Sequence, residues 1–337
     1  MAKINTRSPY HINVSSAGMT TAKLEIYIYT GTQVTDRGSI NHTITSTAYE
    51  AELTFEISEL VNDFLTTTFN GTHIGQNVFV DYQITTYIGA TPTVLTLVAL
   101  EGFNGYGYFN DGVNPQLTSN AYISNASIYA PLASAVTIPV NQDTVTDVVF
   151  NKGGVLVSTT TIIATTESDE VIRYATGTDI DEIILKDGLT TLQTIVVHNI
   201  EECKFTPYKL TFVNKFGALQ DLWFFKRTDK SLSTKDEKYK SNILSSGTYS
   251  INEHQSTILN KQGKETLTLN SGYYEENHNE VFAQLSLSEK VWITYKSQVL
   301  PISITSSSLA FKTQLSDKLI NYTIGCEFAF DKINNIR

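Results

Sequence analysis

The sequence is poor in charge and cysteine and has no long apolar run, and each shortage excludes a class of protein. Charged residues make up 17% of the 337 residues, against about 25% in a typical soluble domain. Two cysteines, Cys203 and Cys326, are too few for a disulfide framework and lack the spacing of metal ligands, so we expect free, small core residues in a reducing cytoplasm. The sequence contains no run of about 18 apolar residues, which a membrane-spanning helix would need. We expect no signal peptide in the first residues, because they contain no apolar run.

Catalytic motifs are also missing from the sequence. HExxH, GxSxG, GxxxxGKS/T, CxxC and a helix-opening GxGxxG do not occur, and the six histidines are dispersed. The densest acidic cluster contains Glu276 and Glu280, which would share a helix face and could hold a cation or cleave a glycosidic bond. A charged first turn of a helix is the alternative interpretation. We expect neither an enzyme nor a bound cofactor.

The residues that are abundant favour β-structure. Hydrophobic residues make up 41% of the chain and aromatic residues 11%, while Thr, Ser, Asn and Tyr supply much of the polar surface. The segment Ala22–Tyr29 alternates apolar and polar residues, which is the period of a half-buried strand. We therefore predict a mainly β fold of two or three β-sandwich-like modules with one or two short helices.

Changes in composition and in the spacing of apolar residues along the chain predict the boundaries of these modules. Residues 1–130 are predicted to form a β-rich module with a short helix over 56–69, residues 131–200 a small immunoglobulin-like β module, and residues 201–337 an α+β module with an aromatic hairpin and a terminal meander. A linker is predicted at Tyr129–Pro139, and a second helix at Tyr273–Leu287.

Strand candidates fill the rest of the three predicted modules. They are Asn41–Thr47, Ala51–Phe55, Val78–Tyr87, Thr91–Leu100, Asp143–Phe150, Val155–Ala164, Val171–Ala175, Glu182–Leu185, Thr191–Val197, Val291–Tyr295, Leu300–Ile304, Ser308–Leu315 and Leu319–Phe330. Gly153-Gly154 and Asp187-Gly188 are predicted turns.

A loop rich in glycine and aromatic residues, 102–112, contains Phe103, Tyr106, Tyr108 and Phe109. Four aromatic rings are costly to leave in water. The loop could lie over its own domain, insert into a neighbouring subunit, or form a stacking platform for sugar rings.

Charge is divided unevenly between the two parts of the chain. Residues 1–200 carry 7 Lys and Arg against 19 Asp and Glu, whereas residues 201–337 carry 17 against 15. Opposite patches would favour head-to-tail contact between copies, although scattered solubility charge is an equal alternative. With a total of −10 we expect no specific nucleic-acid binding.

A basic stretch over 226–246 is predicted to be an exposed arm or loop that contacts a partner. Its candidate contact residues are Lys226, Arg227, Lys230, Lys235, Lys238 and Lys240.

Four segments carry a resemblance to a known family. They are Arg7–Ile12 with the strand after it, Phe55–Leu65, the aromatic hairpin Phe205–Phe225, and Asp317–Arg337. Together they resemble structural virion proteins of tailed phages that infect Bacteroidota, the crAss-like relatives among them. The resemblance implies a tail, baseplate or neck component present in several copies as a ring, and it brings no catalytic residues.

We therefore predict a structural protein of a phage virion that forms a symmetric ring and connects neighbouring components. Its partners would be copies of itself and other virion proteins, and it would be synthesised and assembled in the host bacterial cytoplasm. The alternative is a host-surface adhesin that binds glycan through the aromatic loop. A virion-borne glycan hydrolase that uses Glu276 and Glu280 is a more distant hypothesis.

Overall fold

A computed structural model describes residues 2–31, 35–116, 119–162, 171–306 and 319–333. The fold is mainly β, with several sheets and two short α-helices, which confirms the predicted fold class. Within these ranges no helix is both long enough and apolar enough to cross a membrane.

The N-terminal part is built on a six-stranded sheet in the order β1-β8-β6-β3-β4, with β7 added to β6 and a small β2–β5 sheet beside it. Leu24, Ile26 and Ile28 all face the core, so the predicted alternation is confirmed. The strands are β1 Ala2–Asn5, β2 His11–Ser15, β3 Thr21–Tyr29, β4 His42–Thr47, β5 Glu52–Glu56, β6 Asn77–Ile88, β7 Thr91–Val94 and β8 Val98–Phe103.

The first helix is much shorter than the predicted range 56–69. Helix α1 spans Ser58–Asn62, buries Val61, and leaves Phe64 39% exposed. The chain then turns so that Phe69 can pack against Trp292, with ring centroids 5.8 Å apart. A continued helix would forgo this contact with the C-terminal part, so tertiary packing overrides the apolar stripe.

The middle part places a five-stranded sheet, in the order β12-β11-β14-β15-β9, against the two-stranded sheet β10–β13. Its core includes Ile138, Phe150 and Ile183. The Gly153-Gly154 turn is confirmed, with φ of +57° and +76°. The strands are β9 Ser127–Pro131, β10 Ala135–Asn141, β11 Asp147–Lys152, β12 Val155–Thr161, β13 Ile172–Thr178, β14 Glu182–Asp187 and β15 Thr190–Ile200.

The linker predicted at Tyr129–Pro139 is wrong, because these residues form most of β9 and β10. Strand β9 pairs in parallel with β15, and β10 pairs with β13 along its length and forms a single bridge to Ala121 on its other side. Pro139 is tolerated in β10 because this side of the strand makes only a short bridge, in which the Pro139 carbonyl accepts from the backbone N–H of Tyr122 at 3.0 Å and no donor is needed from Pro139.

The C-terminal part is a seven-stranded sheet in the order β17-β16-β21-β22-β24-β19-β18, covered by helix α2. Helix α2 spans Asn279–Leu287 and begins later than predicted, because Tyr274 and Glu275 form a strand that pairs with β23. The strands are β16 Tyr208–Val213, β17 Leu219–Phe224, β18 Asp229–Lys240, β19 Ser256–Asn270, β20 Tyr274–Glu275, β21 Val291–Tyr295, β22 Gln298–Ile304, β23 Leu319–Ile320 and β24 Thr323–Phe328.

The aromatic hairpin is confirmed as β16 and β17. The predicted strand Ser308–Leu315 lies outside the described residues. The basic segment predicted as an exposed arm or loop is mostly regular strand, since β18 pairs with β19 along all of its 12 residues.

The tip of the aromatic hairpin joins the parts of the chain. The side-chain amide of Asn214 donates to the backbone carbonyl of Tyr122 at 2.7 Å. Gly217 has φ of +79°, and a Cβ there would lie 3.1 Å from the backbone nitrogen of Asn104. This close approach requires glycine, so the hairpin is a packing device between modules.

Candidate interaction surfaces

The aromatic loop 102–112 packs against its own chain. Phe103 is 2% exposed and Tyr106 7% exposed, and the backbone nitrogen of Tyr106 donates to the carbonyl of Lys215 at 2.9 Å. A Cβ at Gly105 would lie 2.8 Å from the same carbonyl, so only glycine allows the approach. Two of the four predicted contact rings are therefore buried inside the molecule.

The other two rings of the loop have different environments. The hydroxyl of Tyr108 donates to Glu280 Oε1 at 2.9 Å, and Lys215 Nζ lies 5.3 Å from the centre of the Tyr108 ring. Phe109 is fully exposed. A platform of four stacked rings is thus not presented at the surface, and Phe109 alone can offer a free ring.

Glu280 serves to attach this loop to helix α2. Its Oε1 atom accepts from Tyr108 and also from Gln284 Nε2 at 2.7 Å, and Lys215 Nζ lies 3.6 Å away. Glu276 lies in a separate 3₁₀ turn before the helix. The proposed pairing of Glu276 with Glu280 gains no support, because the bonds that we observe engage Glu280 with Tyr108 and Gln284. No group of three or more potential metal ligands occurs among the described residues.

The long hairpin of β18 and β19 projects from the sheet, and we call its distal part, Leu232–Glu265, the arm. Strand β24 pairs with β19 only from Thr266 to Asn270. Beyond that point Lys332 donates its backbone N–H to the carbonyl of Gly263 at 2.7 Å. The nine residues Leu232–Lys240 extend about 30 Å at the rise of a β-strand.

Apolar side chains collect towards the distal end of the arm. Each of them is at least 44% exposed in the isolated chain: Tyr239, Leu244, Tyr249, Ile251, Ile258 and Leu259. A two-stranded ribbon on its own is at best marginally stable in water, and several exposed apolar side chains on one such segment indicate a candidate interaction site. The distal arm therefore has the properties of a contact surface.

The predicted basic contact residues are mostly paired within the chain. Four of the six form ion pairs: Lys226 with Glu202 at 2.6 Å, Arg227 with Asp229 at 2.7 Å, Lys230 with Glu265 at 2.9 Å, and Lys238 with Asp236 at 3.1 Å. Lys235 and Lys240 form no ion pair with any residue that the structure describes. Lys261, on the opposite strand of the arm, is also exposed and without an ion pair among the described residues, so these three lysines are the basic groups that the arm can offer to a partner.

A polar groove of about 440 Å³ runs along one face of the arm, where Lys235, Glu237, Asn260, Gln262, Lys264 and Asp331 line it. Lys264 is already paired with Glu327 at 2.8 Å. The lining has no aromatic ring, which sugar-binding sites use for stacking.

A second open surface is the edge strand β12 of the middle part. Val155, Leu156 and Val157 are 69%, 60% and 48% exposed, although the sequence pattern predicted an ordinary sandwich strand. Strand β12 is the last strand of its sheet and pairs only with β11 among the described strands, and a register shift in that pairing leaves Val157 without an opposite residue.

Two buried polar clusters join the modules, and sequence reasoning missed both. Asp221 accepts from Thr211 at 2.6 Å and from Lys209 at 3.1 Å, and it contacts His73. Burial alone would raise the pKa of Asp221, but the hydrogen bond and charge of His73 and the neighbouring Lys209 and Thr211 lower the pKa overall.

The second cluster surrounds His278. Its ring is 2% exposed, and Nδ1 lies 2.8 Å from the side-chain amide nitrogen of Asn125. Burial lowers the pKa of His278 to about 4. No local motif could reveal either cluster, because the partners lie roughly 150 residues apart in the sequence.

No family model and no curated protein matches this chain.

Proposed function

We propose that this chain is a structural component of a phage virion, of the tail, baseplate or neck region, which assembles with copies of itself into a ring and connects neighbouring components. The resemblance of four sequence segments to virion proteins of Bacteroidota phages supports the family. The arm is the observation that supports assembly.

Three properties of the arm support a role in assembly. Its strand β18 spans about 30 Å over Leu232–Lys240, and six apolar side chains towards its distal end are exposed. Its three lysines without an ion pair among the described residues, Lys235, Lys240 and Lys261, are exposed, on a chain whose first 200 residues carry 7 basic against 19 acidic residues. When one region of a chain is basic and another is acidic, contact between the basic region of one copy and the acidic region of the next is favoured over contact between two regions of the same charge.

The aromatic residues fit an architectural role for the body. Phe103, Tyr106, Phe212 and Phe224 are buried in contacts within the chain. These rings are used in packing within the body, and the chain offers its surface through the arm and the sheet edges. We propose no catalytic step, and the glycan-binding alternative retains only Phe109 of its four rings.

A shortened arm tests this proposal. Lys235 and Gln262 are paired in register, so the segment Asp236–Lys261 can be replaced by Asn-Gly, which closes a two-residue hairpin. We expect the wild-type chain to form a ring of defined mass by mass photometry and the shortened chain to remain monomeric. A melting temperature within a few degrees of wild type shows that the body is intact.

Incorporation into purified virions tests whether the chain is a virion component. Mass spectrometry of purified virions should detect the wild-type chain in several copies per particle, and the shortened chain should be absent. A wild-type chain that is monomeric at all concentrations and absent from particles would contradict the proposal.

A further inference from the structure

Two Asn-Gly pairs occur in the sequence, Asn70-Gly71 and Asn104-Gly105, and the fold gives them opposite environments. In such a pair the backbone nitrogen of the glycine can attack the side-chain amide of the asparagine, because glycine has no Cβ to obstruct the approach. The reaction needs no enzyme, but it needs a backbone that is free to rotate. The environment of each pair therefore decides whether it reacts.

The pair Asn70-Gly71 lies at the surface. Both residues are exposed, and they belong to the segment between helix α1 and strand β6, which has no regular secondary structure. Gly71 has φ of +110°. A Cβ at Gly71 would lie 3.5 Å from Val299 Cγ2, which is an ordinary van der Waals distance. The surroundings therefore leave this part of the backbone room to rotate.

The side chain of Asn70 is already placed for this reaction. Its Oδ1 atom accepts from the backbone N–H of Thr72 at 3.1 Å, and this hydrogen bond folds the amide back over Gly71. When the nitrogen of Gly71 attacks Asn70 Cγ, negative charge develops on Oδ1. A donor that is in position before the charge develops stabilises it, so the N–H of Thr72 favours the attack.

The pair Asn104-Gly105 is enclosed. Asn104 is 8% exposed, and its Nδ2 atom donates to Thr67 Oγ1 at 3.2 Å. Its Oδ1 atom accepts no hydrogen bond from any residue that the structure describes. A Cβ at Gly105 would lie 2.7 Å from Asn5 Oδ1 and 2.8 Å from the carbonyl oxygen of Lys215. These neighbours oppose the backbone rotation that the attack requires, so Asn104 can react only after local opening of the structure.

We propose that Asn70 is a site of spontaneous covalent modification, which converts it to aspartate or isoaspartate and weakens the contact between the N-terminal and C-terminal parts. The nitrogen of Gly71 loses its proton to hydroxide and forms a bond to Asn70 Cγ, and the amide nitrogen takes up a proton and leaves as ammonia. Water then opens the cyclic imide at either carbonyl. The net change is the uptake of water and the release of ammonia, so the reaction occurs whether or not the chain is part of a virion.

The modified loop holds two contacts between these parts of the chain. Phe69 packs against Trp292, with ring centroids 5.8 Å apart, and His73 Nε2 lies 3.1 Å from Asp221 Oδ1. Only the segment 70–72 separates Phe69 from His73. In isoaspartate the backbone passes through the side chain and is one carbon longer, so Phe69 and His73 can no longer both keep their positions. The isoaspartate form should therefore be less stable than the unmodified chain.

Peptide mapping by mass spectrometry tests the site. The full wild-type chain is incubated at pH 8, where hydroxide accelerates the reaction, and sampled over days. The peptide that contains Asn70 should gain one mass unit and appear as separate aspartate and isoaspartate forms. The peptide that contains Asn104 should react at least about tenfold more slowly, because its reactive state is a minor population. In urea the two rates should become comparable. Equal rates in the native protein, or an Asn70 peptide that reacts only in urea, would overturn the proposal.

The variant Asn70→Ser separates the reaction from other effects of incubation. Serine can still accept from the N–H of Thr72, but it has no side-chain amide to lose. After the same incubation the wild-type chain should melt at a lower temperature than the fresh chain, and the variant should melt as it did before. A fully modified wild-type chain that melts like the fresh chain, or an equal loss in the variant, would overturn the proposed weakening of the contact.

Discussion

His73 Nε2 lies 3.1 Å from Asp221 Oδ1, and this contact bonds the loop before β6 to the aromatic hairpin. The His73 ring also packs between Phe69 and Tyr174, with centroid distances of 5.0 and 5.4 Å. Residues from all three parts of the chain therefore meet around the largely buried carboxylate of Asp221, with Tyr174 joined to it through the His73 ring. The relative placement of the modules depends on this polar cluster as well as on apolar packing.

Replacing Asp221 should destabilise the protein at neutral pH. Asp221→Asn leaves Lys209 and His73 without their shared acceptor, and breaking a buried ion pair in this way costs about 3 kcal/mol. The folded-state pKa of Asp221 is lowered, so its contribution is complete above the unfolded pKa of about 3.9 and is lost as the pH falls through the folded pKa. The measurement is urea unfolding of wild type and variant at pH 7 and below pH 4.

The matched control for Asp221 is Glu253→Gln, because Glu253 is exposed on the arm. This variant should leave the free energy of unfolding unchanged. A difference between Asp221→Asn and wild type that is the same at both pH values would show that the carboxylate charge is not the source of the stability.

His278 should make the protein sensitive to mild acid. Its folded-state pKa is about 4, below the usual value of about 6.5, so the unfolded chain binds more protons between these values and stability falls as the pH decreases. The loss from pH 7 to pH 4 should reach about 3 kcal/mol from this group. Urea unfolding at unit steps of pH measures the slope.

Two variants separate His278 from other titrating groups. His278→Gln should flatten the slope between pH 6.5 and 4, because the variant has no proton to gain. His254→Gln is the control, since His254 is exposed, and it should leave the slope as in wild type. An unchanged slope in His278→Gln would contradict the assignment.

Replacing Tyr108 should affect stability, whereas replacing Phe109 should not. Tyr108→Phe removes the donor to Glu280 and should lower the free energy of unfolding by about 1–2 kcal/mol. Phe109→Ala removes a fully exposed ring and should leave stability unchanged. Thermal unfolding measures both.

The same pair of variants bears on the glycan-binding alternative. If the loop is architectural, Phe109→Ala should leave adsorption of particles to host cells at the wild-type level. Loss of adsorption in Phe109→Ala, with normal adsorption in Tyr108→Phe, would favour the adhesin.

The two cysteines should differ in reactivity. Cys326 is buried and its pKa is raised to about 12 by burial, whereas Cys203 is exposed. A thiol reagent such as DTNB should therefore label one thiol in the native protein and two in denaturant. Cys203→Ser should abolish the native reaction, and Cys326→Ser should leave it intact. The sequence prediction that both cysteines are core residues is right for Cys326 and wrong for Cys203.

The sequence alone predicted most strands of the sheets. The alternation of apolar and polar residues was enough to predict β3, because a strand buried on one face requires a period of two. The Gly153-Gly154 pair was enough to predict the turn between β11 and β12, because a tight hairpin turn requires positive φ. The same local signals failed for the helix at 56–69 and for the linker at 129–139, where contacts with distant residues decide the backbone conformation.

For the candidate surfaces, the features that the sequence determines differ from those that only the tertiary structure determines, for the same physical reason. Sequence fixes which side chains are aromatic or basic, and it marked both the loop 102–112 and the basic stretch. Only the tertiary structure decided that Phe103 and Tyr106 are buried, that β18 lies in a projecting arm, and that β12 lies at an open edge. Burial and strand order depend on residues far apart in the chain, so no local pattern contains them.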